Sequence, residues 1–138
     1  MALYPALLFT VALLVTTAYF LLGGLPLLVL DHDSALDARF IRGFFNLYYK
    51  AAFVTSAGAS LSFAGLGQGG YALGAAGLAL VALALRRQLI PRMDELGSQV
   101  QSSAPLAIRR FRQVHAVALL VNLAQLVLLV WALIRFSL

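Results

Sequence analysis

The chain has 138 residues, of which 62% are apolar and 11% charged, with a formal net charge of +5 and no cysteine; its mean hydropathy is +0.93. A soluble domain carries about 25% charged residues, so the soluble globular class is excluded and a polytopic membrane protein is indicated. The lack of cysteine excludes disulfides, thiolate metal sites and cysteine nucleophiles. The excess of basic residues lies at the edges of apolar runs, which points to membrane topology and away from nucleic acid.

The N-terminal MALYPALLFTVALLV lacks the basic segment of a secretory signal, and its apolar run continues too far for one. It reads as a retained helix. Together with three later apolar segments it predicts an all-α, antiparallel four-helix transmembrane bundle. Residues 1–138 form one transmembrane domain, with helices over about 4–30, 44–66, 71–90 and 105–135. The first would be ~40 Å long if straight, against a hydrocarbon core of ~30 Å. Pro26, after Gly23-Gly24, removes a backbone donor and predicts a kink there.

In the LDHDSALD connection, His32 reads as part of a solvated loop beside a capping aspartate. Between helices two and three lies only GLGQGG, a tight uncharged turn that predicts an antiparallel hairpin. Pro91 is expected to end or bend helix three, with a short interfacial turn about Gly97 over Met93 to Val100. Ser102-Ser103-Ala104-Pro105 is a helix start, with a serine cap and proline in the first turn.

Nine of the ten lysines and arginines flank the first and third connections, and Arg135 alone lies on the other side. The positive-inside rule then places both connections in the cytoplasm and both termini outside. This is the expectation for a multi-pass protein of a bacterial inner membrane. Phe44, Phe45, Tyr48 and Tyr49 would form a cytoplasmic aromatic belt, and Tyr4, Tyr71 and Trp131 the opposite one. All five acids and both histidines share the cytoplasmic rim.

Small residues recur at helical spacing: Ser56 with Ser60, Gly58 with Ser62, Gly70 with Gly74, then Ala75 and Ala79. Such spacing lets two backbones approach closely, and hydroxyls can bond across the contact. It suits packing between helices two and three, the favoured reading, or a docking face for another membrane protein.

Helix four carries polar residues in QVHAVALLVNLAQ. His115 and Asn122 lie two turns apart on one face, and Gln125 nearly continues the stripe. Polar side chains in a membrane helix turn toward the bundle interior, where each interhelical hydrogen bond contributes ~0.6 kcal/mol, reaching 1–2 in model peptides. The favoured reading is polar glue that sets the register of helix four, with no cofactor. The alternative is a divalent-metal site made by His115 with His32, Asp31 and Asp33, or a haem held by the two imidazoles. Consecutive Asp-His-Asp does not put three ligands on one helix face, so a loop would have to wrap the ion.

Arg86, Arg87, Arg109, Arg110 and Arg112 stand at headgroup level, each attracted to anionic lipid by about 1 kcal/mol. Lys50 can snorkel to the interface or reach Asp94 or Glu95. There is no nucleophile–base pair, phosphate-binding glycine loop or HExxH arrangement, so catalysis is not expected.

The proline in Leu25-Pro26-Leu27-Leu28, the FFNLYYKAAF opening of helix two, LIPRMDEL and RFRQVHAVALLVNLAQL together resemble the small four-helix family grouped with the "transmembrane protein 205-like" domains. The likeness covers most of the chain. Its most specific positions are Ile90-Pro91, Phe111, His115 and Asn122. It departs at Asp94, where the family tends to asparagine, and at Ala118, where it tends to a small hydroxyl residue. The resemblance implies this fold and topology and makes the His–Asn stripe part of the architecture. The function expected is a non-catalytic accessory subunit that packs against a larger membrane assembly and contacts lipids. A redox or metal-handling protein and a homo-oligomeric small-molecule transporter are the alternatives.

Overall fold

The computed structural model describes residues 3–29, 31–32, 34–100 and 105–137. These form four helices: α1 (Leu3–Leu27), α2 (Ala35–Gly65), α3 (Gly69–Val100) and α4 (Pro105–Ser137). Among the described residues, α1, α3 and α4 are long and apolar enough to cross a membrane. At 1.5 Å per residue, α3 and α4 reach about 50 Å, well beyond the ~30 Å hydrocarbon core. The surplus turns carry Arg92 and Glu95 on α3 and Arg109, Arg110 and Arg112 on α4.

The helix boundaries differ from those predicted at three places. α1 stops at Leu27 instead of 30, because Pro26 sits in its last turn and the chain closes there through Leu28 N to Leu25 O and Val29 N to Pro26 O. α2 begins at Ala35 instead of 44. Ser34, with extended backbone, caps it by accepting from Asp37 N at 3.1 Å, so the cap is a serine and not an aspartate. The charged ALDARFIRG segment is helical because Ala38, Ile41 and Phe45 fall on one buried face.

α3 neither ends at Pro91 nor turns about Gly97, but continues to Val100. Proline removes a single ladder bond, and burial of Ile90, Met93 and Val100 on both sides of it holds the helix together. Gly97 lies against α2, where an added Cβ would stand 3.3 Å from that of Ala38.

The GLGQGG turn closes α2 with a Schellman pattern: Gln68 N bonds Phe63 O and Gly67 N bonds Ala64 O. Gly67 takes φ +70 at the left-handed position this pattern requires.

Each helix packs on its neighbours in a ring, α1 on α2, α2 on α3, α3 on α4 and α4 back on α1, with α2 and α3 the most intimate pair. The core divides into two clusters. The larger centres on Ile41, Phe45, Tyr48, Tyr49, Met93 and Phe111. The smaller, near the α2–α3 turn, is built of Ala6, Ala59, Phe63, Ala72 and Ala75. Gly24 allows a close crossing, since a Cβ there would meet Leu119 of α4 at 2.5 Å. Large apolar side chains such as Leu8, Leu22, Leu61, Leu73, Leu80 and Leu120 face outward.

Candidate functional site

A set of buried polar side chains runs through the interior beside the larger cluster. At its head, His32 of the α1–α2 connection meets His115 of α4, Nε2 to Nδ1 at 3.0 Å. Both are fully buried, so His32 is not in a solvated loop. Its backbone adopts φ 60, in the left-handed region, an arrangement that costs on the order of 1–3 kcal/mol for a non-glycine residue. Burial of the imidazole and its bond to His115 offset that cost. The flanking aspartates suggested solvation, yet Asp31 is exposed while its neighbour points inward.

Aromatic rings enclose the pair. Phe111 lies 5.9 Å from His32, and Phe45 meets His115 edge-on at 5.3 Å. A hydrogen bond between two imidazoles needs one donating and one accepting nitrogen. The other ring nitrogen of His115, Nε2, is buried with no hydrogen-bond partner among the described residues.

Further along α4, Gln125 Oε1 accepts a 2.7 Å hydrogen bond from the Tyr48 hydroxyl of α2. This side-chain pair bridges the diagonal of the ring of helices. Asn122, between the two, is 1% exposed, and neither amide atom finds a hydrogen-bond partner among the described residues. The stripe thus points inward along its whole length, but among the described residues only His115 and Gln125 of the stripe bond across to other elements. Ser56 and Tyr49 are likewise buried, with their hydroxyls unpartnered among the described residues. Ser56, Thr17, Tyr48 and Gln125 line an internal cavity of about 10 Å³, the size of one water molecule.

Tyr48 and Tyr49, expected at the interface, are 1% exposed, and Phe45 is fully buried. The spacing of positions 45, 48, 49 and 52 is that of an inward helix face and was the available signal for their place in the core. Tyr48 was the partner the stripe lacked.

The other predicted residues are dispersed. Ser60 bonds Ala72 O across to α3 at 2.9 Å, while Ser62 bonds Gly58 O of its own helix at 2.8 Å. Gly58 packs beneath Phe9 of α1, where a Cβ would lie 2.6 Å from the ring. Gly70 and Gly74 do not pack on α2; a Cβ at either would meet nothing within 4 Å. The buried face of α3 is its alanine stripe, Ala72, Ala75, Ala79 and Ala82, because methyl groups fill the α2–α3 seam that bare glycines would leave hollow.

Among the proposed lipid contacts, Arg86 donates from Nε to Asn46 Oδ1 at 2.9 Å, and Arg87, Arg109, Arg110 and Arg112 are exposed. Asp94 pairs with Arg42 and not with Lys50. Asp33 and the Ser102-Ser103 cap lie outside the described residues. Among the described residues, no three His, Asp or Glu side chains come together as a metal-binding group. Compared with protein-family models, curated proteins and solved structures, the chain matches none.

Proposed function

We propose that this protein is a non-catalytic integral-membrane subunit that packs through the outer face of α3 against a larger membrane assembly. The observation that carries this reading is the set Gly70, Gly74 and Gly77, where an added Cβ would meet nothing within 4 Å. These positions share one helix face at four- and three-residue spacing, and the exposed Leu73, Leu80 and Val81 stand beside them. Bare backbone on an outward face is suited to close approach by a partner helix. The test is extraction of the tagged protein in mild detergent and identification of what accompanies it. A stoichiometric membrane partner that Gly74→Leu and Gly77→Leu release is the expected result, and a stable lone monomer overturns the reading.

In the topology proposed here, all four helices cross the membrane antiparallel, α1 kinks near Pro26, and both termini face outward from a bacterial inner membrane. Support for α2 against α3 comes from the pairing of Ser60 with Ala72, Asn46 with Arg86, and Arg42 with Asp94, in which one number falls as the other rises. The charge asymmetry of the connections supports the orientation. Membership of the transmembrane protein 205-like group is part of the same proposal, supported by Phe111, His115 and Asn122 lying together on the buried face of α4.

The histidine pair favours a second reading, a metal-handling protein. Two buried imidazole nitrogens 3.0 Å apart are close to the separation at which both would bind one tetrahedral ion, given metal–nitrogen bonds of about 2.0–2.1 Å. On this reading His32 Nε2 and His115 Nδ1 are two of the ligands. Metal analysis of the purified protein tests it. A stoichiometric ion lost in His115→Ala sustains the reading, and an equal metal content in both proteins sinks it.

A further inference from the structure

At the polar end of the molecule α3 and α4 part to leave a cleft of about 480 Å³. Its lining changes along its length. Leu89, Val114 and Val117 form the part nearest the apolar middle of the helices. Arg92 and Arg110 come next, one on each helix, about a turn farther out. Glu95 and Gln99 are outermost. Two arginines and a single glutamate line the cleft and leave one net positive charge. Among the described residues neither arginine forms an ion pair.

We propose that this cleft binds one anionic phospholipid of the phosphatidylglycerol type. The order of groups in the cleft repeats the order of groups in such a lipid. The start of an acyl chain lies on Leu89, Val114 and Val117. The phosphodiester sits between Arg92 and Arg110, whose planar forks suit its two free oxygens. The glycerol hydroxyls reach Glu95, which accepts from hydroxyl donors and repels a second phosphate. A freely soluble phosphate would satisfy the arginines but leave the apolar part of the cleft without an occupant. Arg87 and Arg109 lie on the same rim outside the cleft, so they separate a built site from general attraction of the rim to a charged surface. The inference is independent of the partner proposed for α3.

The experiment is native mass spectrometry of the full chain released from nanodiscs that contain phosphatidylcholine with a minor share of phosphatidylglycerol. One retained phosphatidylglycerol per chain is expected, with phosphatidylcholine lost. Arg92→Gln and Arg110→Gln each lower retention about five-fold, and Arg87→Gln and Arg109→Gln, which remove only attraction at the surface, lower it clearly less. Circular dichroism of each variant establishes that the helices are intact. Equal retention of the two lipids overturns the proposal. So does an equal loss in all four variants, which would mean surface attraction only. Displacement of the lipid by water-soluble glycerol phosphate at matching concentration would reassign the cleft to a free phosphate and also overturn it.

Discussion

The two ends of this bundle are built on opposite plans. Around His32 and His115, rings and long side chains meet: Phe45, Tyr48, Tyr49, Phe111 and Met93 are all at most 1% exposed. Around the α2–α3 turn the core is mainly alanine, and a groove of about 460 Å³ opens where Trp131, Phe136 and Tyr71 stand beside Gly70 and Gly74. In lipid the apolar surface of a helix gains little by being covered, so packing contacts and hydrogen bonds decide where helices hold each other. The histidine end has both. The glycine end has helices in contact but an outer α3 face of bare glycine backbone flanked by leucines, so the two interactions proposed above use different surfaces: a shaped polar cleft at one end and a glycine-lined helix face toward the other.

That contrast can be broken most directly at Phe111. Phe111→Ala empties a fully buried site in the tight end and is expected to cost about 3–5 kcal/mol of unfolding free energy in detergent. Trp131→Ala, at a residue 59% exposed beside the open groove, is expected to change it by less than about 1 kcal/mol. Equal effects would mean that the two ends are not differently packed.

A double-mutant cycle on His32 and His115 sharpens the same contrast. Each single alanine leaves its partner's ring nitrogen unbonded in a buried site and is expected to cost about 1–3 kcal/mol. The double variant should cost clearly less than the sum, with a coupling of about 0.6–1.7 kcal/mol. Strict additivity would show that the imidazole bond contributes nothing beyond packing.

The smallest effects distinguish two polar residues three positions apart on α4. Gln125→Leu removes the acceptor of the Tyr48 hydroxyl and is expected to destabilise by ~1 kcal/mol. Asn122→Leu removes an amide that bonds to nothing among the described residues, so the expected change is near zero or stabilising. Thermal or denaturant unfolding in one detergent ranks the pair, and a larger loss at Asn122 would reveal a partner for it.

Much of this plan was legible in the sequence. Apolar run length gave the helical class, and the 3.6-residue period placed His115, Asn122 and Gln125 on an inward face before any neighbour was known. The boundary errors in α2 and α3 share one cause. Reading by hydropathy ended helices where charge or proline began, so it missed the first turns of α2 and the last turns of α3. Those turns form because Ala38, Ile41 and Met93 are buried against other helices, a tertiary effect that single-residue propensity does not carry. His32 was the hardest to read. Its inward turn depends on a left-handed backbone and on a partner 83 positions away, and local sequence encodes neither.

That separation also sets a schedule. Synthesis proceeds at about 5–20 residues per second, so some 4–17 s pass between the emergence of His32 and that of His115. During this interval α2 and α3 are made, while the connection between α1 and α2 lacks the imidazole that turns it inward. The first connection of the chain therefore reaches its final conformation only when the last helix arrives, and the histidine bond closes the molecule late in its biogenesis.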